Sequence, residues 1–370
     1  VTAVPFVDFR SHVAALRTEL EGAFARVLNS GIFILGPEGE ALERELAGAF
    51  GAREAIGVGN GTEALQLALE AKGIGPGAEV VTSPMSAAFT VLAILRTGAR
   101  PVFADCDPKT LNLDPAEVSR VVTGKTGALL PVHLYGHPAD LDPLLEIGSA
   151  HGIPVIEDAC QAHGAHYKGK VVGALSGLGA LSFYPTKNLG AFGDGGAVLV
   201  GDPQTAATIR RLRNGGQTDR YRHEVVGMNS RLDEIQAAIL RVKLEHLSAF
   251  TEARRALARV YLEALRGLGI GLPEEQPYAR AVYHLFVIRH PRRDALADAL
   301  KRRGVSTLIH YPIPLHLQPA FAGLGGRPGD FPVAEQAARE ILSLPLYPEL
   351  TEDQARFVAA SVQELAPALM

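Results

Sequence analysis

The chain has 370 residues, 47% hydrophobic and 21% charged, enough apolar matter for a packed core and too much for an intrinsically disordered protein. Lysine and arginine number 36 against 40 acidic residues, a net charge of −4, so the balance gives no reason to expect nucleic acid or an anionic membrane as partner. Two cysteines, Cys106 and Cys160, cannot make a disulfide framework. No apolar run approaches the roughly eighteen residues of a membrane span. At the start, Asp8 and Arg10 interrupt the sequence before an apolar leader develops. A cytoplasmic enzyme is the expectation, with two or three domains or one large core and an appendage.

The first helix is expected over Ser11–Asn29, with Val13, Leu16, Leu20, Phe24 and Val27 at helical spacing and Ser11 as N-cap. A second follows Gly36-Pro37 and carries Leu42, Leu46 and Phe50. Next comes Gly59-Asn60-Gly61-Thr62-Glu63-Ala64, small residues ahead of an amphipathic helix. Its first backbone N–H groups suit an anion such as a phosphate. An ordinary helix cap explains the stretch equally well. Gly59-x-Gly61-x-x-Ala64 also matches a dinucleotide fingerprint, but the next strand ends Thr82-Ser83, without the acid that reading requires.

Short β-rich runs then alternate with helical stretches. The runs are 79–83, 101–104, 128–133 and 154–157; the helices lie near 62–71, 86–97, 115–121 and 140–151. Runs such as Val80-Val81 and Pro154-Val155-Ile156 are apolar throughout, as strands buried on both faces should be. The alternation predicts an α/β fold with a mostly parallel sheet. The strand at 154–157 ends in Glu157-Asp158, and adjacent strand residues diverge. One of the two therefore faces the crevice beyond the strand ends, where it needs a cationic partner.

The following strand runs into Ser182-Phe-Tyr-Pro-Thr-Lys187-Asn-Leu-Gly, and a second strand is expected at 197–200. There are eight lysines, at 72, 109, 125, 168, 170, 187, 243 and 301. Seven lie at helix ends, in turns, beside a hairpin glycine or among helical charges, and read as solvated. Only Lys187 stands amid apolar and small residues, the setting of an amine with a depressed pKa. Helices near 203–213, 232–246 and 249–265 follow. The remainder reads β-α-β-α-α, with strands 283–289 and 305–310 and helices near 292–303, 333–341 and 352–365. A large domain is expected over 1–245 and a smaller α+β domain over 246–370.

A helix N-terminus, a strand-end carboxylate and a secluded lysine match the three groups of pyridoxal phosphate: phosphate, ring nitrogen and aldehyde. No metal site is expected. Here the sequence resembles the DegT/DnrJ/EryC1/StrS sugar aminotransferases over nearly its whole length. The likeness runs from Ser30-Gly-Ile-Phe-Ile-Leu-Gly-Pro through Glu157-Asp-Ala-Cys-Gln-Ala-His-Gly and Ser182-Phe-Tyr-Pro-Thr-Lys-Asn-Leu-Gly to Asn229-Ser-Arg-Leu-Asp-Glu and His310-Tyr-Pro-Ile-Pro-Leu-His316.

The resemblance implies the aspartate-aminotransferase-like, fold-type-I architecture. It implies that Lys187 holds pyridoxal 5'-phosphate as a Schiff base and shuttles a proton. Asp158 would pair with the ring nitrogen and Gln161 with the phenolic oxygen, while Gly61, Thr62 and Ser182 hold the phosphate. Asn229 would reach that phosphate from the second subunit of a homodimer. Glutamate would give the amino group and a nucleotide-linked keto-sugar would receive it. Tyr311 and His316 are candidates for the sugar-nucleotide; a Pro-rich structural corner explains them about as well. A sugar dehydratase of the family would carry histidine in place of Lys187, and a regulatory or sensor protein would have no use for a desolvated lysine. One departure stands out. The family's usual ring-stacking aromatic residue aligns with Ala87, and Phe89, two residues on, points elsewhere on a helix.

Overall fold

A computed structural model describes residues 3–369. It opens with two helices, α1 (Phe9–Ser30) and α2 (Pro37–Phe50), each ended by a glycine at φ 64°, Gly31 and Gly51, which only a residue without Cβ adopts freely. The N-cap of α1 is Asp8, whose carboxylate accepts from the N–H groups of Arg10 and Ser11. The sequence pointed to Ser11, but Ser11 already lies inside the first turn and its hydroxyl donates to Asp8 instead.

Strands and helices then alternate: β1 (Glu54–Val58), α3 (Gly61–Ala71), β2 (Glu79–Thr82), α4 (Ala88–Arg96), β3 (Arg100–Phe103), α5 (Pro115–Val121), β4 (Thr126–Leu130), α6 (Leu141–His151) and β5 (Glu157–Asp158). A small hairpin, β6 (His166–Tyr167) and β7 (Lys170–Val171), precedes β8 (Leu178–Ser182) and β9 (Gly196–Val200). In space the order is β3-β2-β4-β5-β8-β9-β1, with the β4 and β5 segments joined by the bridges Leu129–Val155 and Val132–Asp158. Only β9 runs against the rest. Neighbouring strand residues feed opposite layers. Ile56, Val80, Val198 and Val200 pack with α3, α4 and α7 (Pro203–Leu212), while Ala55, Leu181 and Leu199 pack with α2 and α8 (Glu234–Leu265). Burial on both faces explains the unbroken apolar runs.

After α7 come a short hairpin, β10 (Gln217–Asp219) and β11 (Arg222–His223), then α8, β12 (Ala279–Arg280), β13 (Phe286–Arg289), α9 (Arg293–Arg302), α10 (Pro332–Glu340), β14 (Ile341–Leu344) and α11 (Glu352–Leu365). Where two helices were expected between 232 and 265, α8 is one helix of 32 residues. Its first half packs on α1 and α2 through Ala237, Ala238, Ile239 and Leu240. Its second half places Leu257, Ala258, Tyr261 and Leu265 in the core formed with β13, β14, α9 and α11. No Gly or Pro interrupts the apolar stripe, so nothing stops the helix at residue 246. Its first residue, Glu234, is buried, and its carboxylate accepts from the N–H groups of Gly36, Glu38 and Gly39 at 2.8–2.9 Å, tying α8 to the start of α2.

The strand expected at 305–310 is reduced to single bridges, Val4–Val305 and Leu308–Ser343, while β14, hidden at the end of a helical pattern, pairs with β13. Among the described residues no helix is long and apolar enough to cross a membrane.

Candidate active site

β1, β5 and β8 end along one edge of the sheet, and β9 begins there, so the connections at that edge share a crevice. Asn60 caps α3, its side-chain oxygen accepting from Glu63 N at 2.9 Å. Gly61 opens the helix in contact with β8 and the β5 loop: a Cβ at this position would lie 2.7 Å from Ser182 Cβ and 3.0 Å from Cys160 Sγ. Gly196 admits β9 against the same turn, since its Cβ would fall 2.5 Å from the Asn60 carbonyl carbon. The result is a helix N-terminus with Thr62 and Ser182 beside it, a donor-rich cradle for a phosphate.

Asp158 and Glu157 diverge, as strand geometry demands. Glu157 is fully buried, accepting from Gly173 N at 2.6 Å and Ser176 N at 2.7 Å, with His133 Nε2 at 3.1 Å. Despite burial, these donors hold its carboxyl below the usual range. Its work is to close the 173–176 turn. Asp158, 4% exposed, accepts from Thr90 Oγ1 at 2.9 Å and from Cys160 N at 3.2 Å. Among the described residues no basic side chain pairs with it. Gln161 accepts from Tyr135 N at 2.8 Å and donates to Tyr311 Oη at 3.2 Å, keeping one amide N–H to spare.

Lys187 stands in the loop 183–195 that joins β8 to β9. Tyr184 O accepts from its N–H at 2.8 Å, and Phe183 O accepts from Ala191 N at 2.8 Å, closing the loop below it. Burial lowers the Lys187 pKa, an effect opposed by the neighbouring Cys160 and Asp158. Around the amine stand three histidines kept neutral mainly by burial and secondarily by Lys187 itself: His163 pushed down to about 3, His310 to about 4, and His284 well below its ordinary value. The Cys160 thiol is pushed up by burial and by Asp158.

The structure therefore brings Gly61, Thr62, Asp158, Gln161, Ser182, Lys187 and Tyr311 to one crevice. Asn229 is exposed on the segment before α8, bridged to Asn214. His316 stands apart from this cluster. Its ring is buried against Phe103 and Phe331 and its Nε2 lies 3.1 Å from Glu335. Ala87 is the N-cap of α4, and Phe89 is 63% exposed. The residue of that segment turned toward the site is Thr90, which the sequence did not single out. Its position one helical turn after the N-cap of α4 is a signal only when the partner strand is known.

Lys243 departs from the sequence expectation. Charged neighbours in sequence suggested a solvated lysine, yet Lys243 is 3% exposed, and burial lowers its pKa to about 8. It lies on the face of α8 turned to the loop of Lys187, while its charged neighbours Arg241 and Glu245 lie on the opposite face, Arg241 paired with Glu38 and Glu45 of α2.

The residues fit pyridoxal phosphate. A carboxylate without a basic partner, an amine with its pKa lowered, and a glycine-lined helix N-terminus meet the ring nitrogen, aldehyde and phosphate of that group.

A family profile described as the DegT/DnrJ/EryC1/StrS aminotransferase family matches residues 15–363. Over 364 residues the chain is 50% identical to the dTDP-3-amino-3,4,6-trideoxy-alpha-D-glucose transaminase of Streptomyces venezuelae, covering 98% of this chain and 96% of that one. It is 46% identical over 364 residues to the pleiotropic regulatory protein of Geobacillus stearothermophilus, covering 98% of each. Among solved structures, the X-ray structure of S. venezuelae DesV in complex with a ketimine intermediate superposes with a TM-score of 0.98 at 50% identity, covering 99% of both chains.

Proposed function

The chain belongs to the DegT/DnrJ/EryC1/StrS aminotransferase family, and we propose that within it this enzyme moves an amino group from glutamate to a nucleotide-linked keto-sugar. The observation that carries the reading is the meeting of Lys187, Asp158 and the α3 N-terminus in one crevice. Bound pyridoxal 5'-phosphate supplies an aldehyde to carry the amino group and a ring to take up an electron pair.

Each protein group has a task. Lys187 Nζ, its positive charge disfavoured by burial, is the anchoring amine. With the cofactor bound, that amine would take the proton from the amino donor's α-carbon and later deliver one to the sugar carbon that gains nitrogen. Asp158, held by Thr90, would keep a proton on the ring nitrogen. The spare N–H of Gln161 would serve the phenolic oxygen. The first N–H groups of α3, with the hydroxyls of Thr62 and Ser182, bind the phosphate. Tyr311, tied to Gln161, borders the space left for the sugar.

The working unit in this reading is a homodimer. Phe24, Leu28, Ile32, Phe33, Ile34 and Leu35 are all more than 40% exposed around the end of α1, an apolar patch suited to a second copy. Asn229 would reach the partner's phosphate. A regulatory reading draws on the name of the Geobacillus relative, but the intact Lys187–Asp158–Gln161 set favours catalysis.

The test incubates the protein with glutamate and a panel of dTDP- and UDP-linked keto-sugars and reads amino-sugar products by mass. Turnover that vanishes in Lys187→Ala supports the proposal. Turnover surviving that substitution, or a wild-type protein with no visible absorbance bleached by borohydride, overturns it.

A further inference from the structure

Gln236, Lys243 and Arg254 are spaced by seven and eleven residues on α8. At 100° per residue they fall within about 20° of one line along the helix. All three turn inward, and together they hold the loop of Lys187 and the segment that covers it. Gln236 Oε1 accepts from Phe192 N at 2.8 Å. Lys243 Nζ donates to Gly190 O and lies 5.3 Å from the centre of the Phe192 ring. Arg254 donates to Leu346 O at 2.7 Å, to Tyr283 O at 3.3 Å and to His284 O at 3.4 Å. From the other side, Asn188 donates to Val282 O at 3.2 Å, and its amide oxygen lies 3.2 Å from His284 Nδ1. Loop 183–195 is thus gripped between α8 and residues 282–284, which α8 itself fixes through Arg254.

Gly190 is the tightest point of the loop. A Cβ there would lie 2.4 Å from Pro185 O and 2.9 Å from Tyr184 O, so the carbonyl that Lys243 holds belongs to the residue that folds the loop back on itself. Behind the loop lies a narrow, partly open pocket whose walls include Thr186, Lys187, Lys243, Arg254 and Glu349. A loosened loop would expose more of the Lys187 side chain, its amine included, to that space.

We propose that Lys243 is a positioning residue for Lys187: by holding Gly190 O it keeps the loop shut and the Lys187 amine desolvated. The inference rests on the assignment of Lys187 as the anchoring amine. The charged and titratable groups nearest Lys187 are Asp158, Cys160, His163, His284 and His310; those nearest Lys243 are Glu349, itself paired with His12, and Arg254.

The decisive measurement is the pH dependence of Lys187 acetylation in the cofactor-free full-length chain, read on the Lys187 peptide by mass spectrometry. Losing the grip lets water reach the amine, so the midpoint should rise toward the ordinary lysine value. Lys243→Met and Gln236→Leu should each raise it by at least about half a pH unit, while Lys243→Arg, which keeps a buried donor, should leave it near wild type. In the loaded enzyme kcat should fall about tenfold in Lys243→Met, with KM for the keto-sugar within about threefold, as expected when the reacting amine is misplaced and binding is not.

Gln236→Leu removes a tether without touching charge, and it decides the matter alone if circular dichroism shows that Lys243→Met does not fold. A wild-type midpoint in the folded variants overturns the proposal, whatever happens to turnover. A wild-type enzyme lacking absorbance that borohydride bleaches overturns the function proposed above, and separates that failure from this one.

Discussion

Thr90 donates its hydroxyl proton to the Asp158 carboxylate at 2.9 Å, from a helix whose strand neighbours never touch β5. The bond fixes one carboxylate oxygen and leaves the other, held only by Cys160 N at 3.2 Å, available for the ring nitrogen that Asp158 is proposed to meet. Thr90→Val keeps the shape and removes the donor. A hydrogen bond to a charged group contributes about 1.5–3 kcal/mol, so pyridoxal 5'-phosphate should bind roughly tenfold more weakly or worse. A titration of visible absorbance against cofactor concentration measures it, and an unchanged affinity would deny Thr90 this role.

Gly61→Ala should damage the cradle more than the fold. The new methyl meets Ser182 Cβ at 2.7 Å and Cys160 Sγ at 3.0 Å, neither of which is the loose end of a long side chain. Overpacking of this kind costs about 1–3 kcal/mol. A lower melting temperature and at least about tenfold weaker cofactor binding are the outcomes expected, because the shift falls on the N–H groups proposed to bind the phosphate.

Acid should unfold the protein through its buried histidines. His163 is fully buried between Phe50 and Phe183 with neither ring nitrogen bonded, and stays neutral in the fold down to about pH 3. Once unfolded it takes a proton near pH 6.5, so stability is complete above about 6.5 and drains away as pH falls toward 3. His163→Phe removes that loss. At pH 4.5 the variant should gain about 3 kcal/mol on the wild type relative to their difference at pH 7.5. Urea melts at the two pH values test it, and parallel losses would refute it.

Lys187 costs the empty protein stability. Its pKa is depressed in the fold, so below the ordinary lysine range the unfolded chain holds the proton more tightly than the native one. Cofactor-free Lys187→Met should melt above the wild type at pH 7. The gap should close as pH rises past roughly 10.4, where both states are neutral. Calorimetry at those two pH values would show a constant gap if desolvation of Lys187 were not its cause.

The parts of the candidate site that could be read from sequence are those where chemistry and chain position coincide. Asp158 ends an apolar strand, Gly61 starts an amphipathic helix, and Lys187 stands in a loop without charged neighbours. What escaped depends on contacts across long separations. Thr90 meets Asp158 across 68 residues, and Lys243 meets Gly190 across 53. Lys243 misled because burial on a helix depends on its face, while its charged sequence neighbours lie on another. The continuity of α8 was hidden for a related reason: its stripe changes partners from one core to the other near residue 246 while remaining helical. β14 escaped because Ile341 continues the apolar period of α10, and only pairing with β13 reveals the strand.

The long reach of α8 also governs how the molecule comes apart. Glu234 grips the turn at Gly36–Gly39, nearly two hundred positions earlier, and Leu265 ends in the core with α11. A single rod thus joins two apolar centres, and a break within it would strip both. Heating should give one calorimetric transition, and a nick between residues 245 and 246 should leave neither fragment able to refold alone. Loss of catalytic geometry and loss of the folded state would then arrive together.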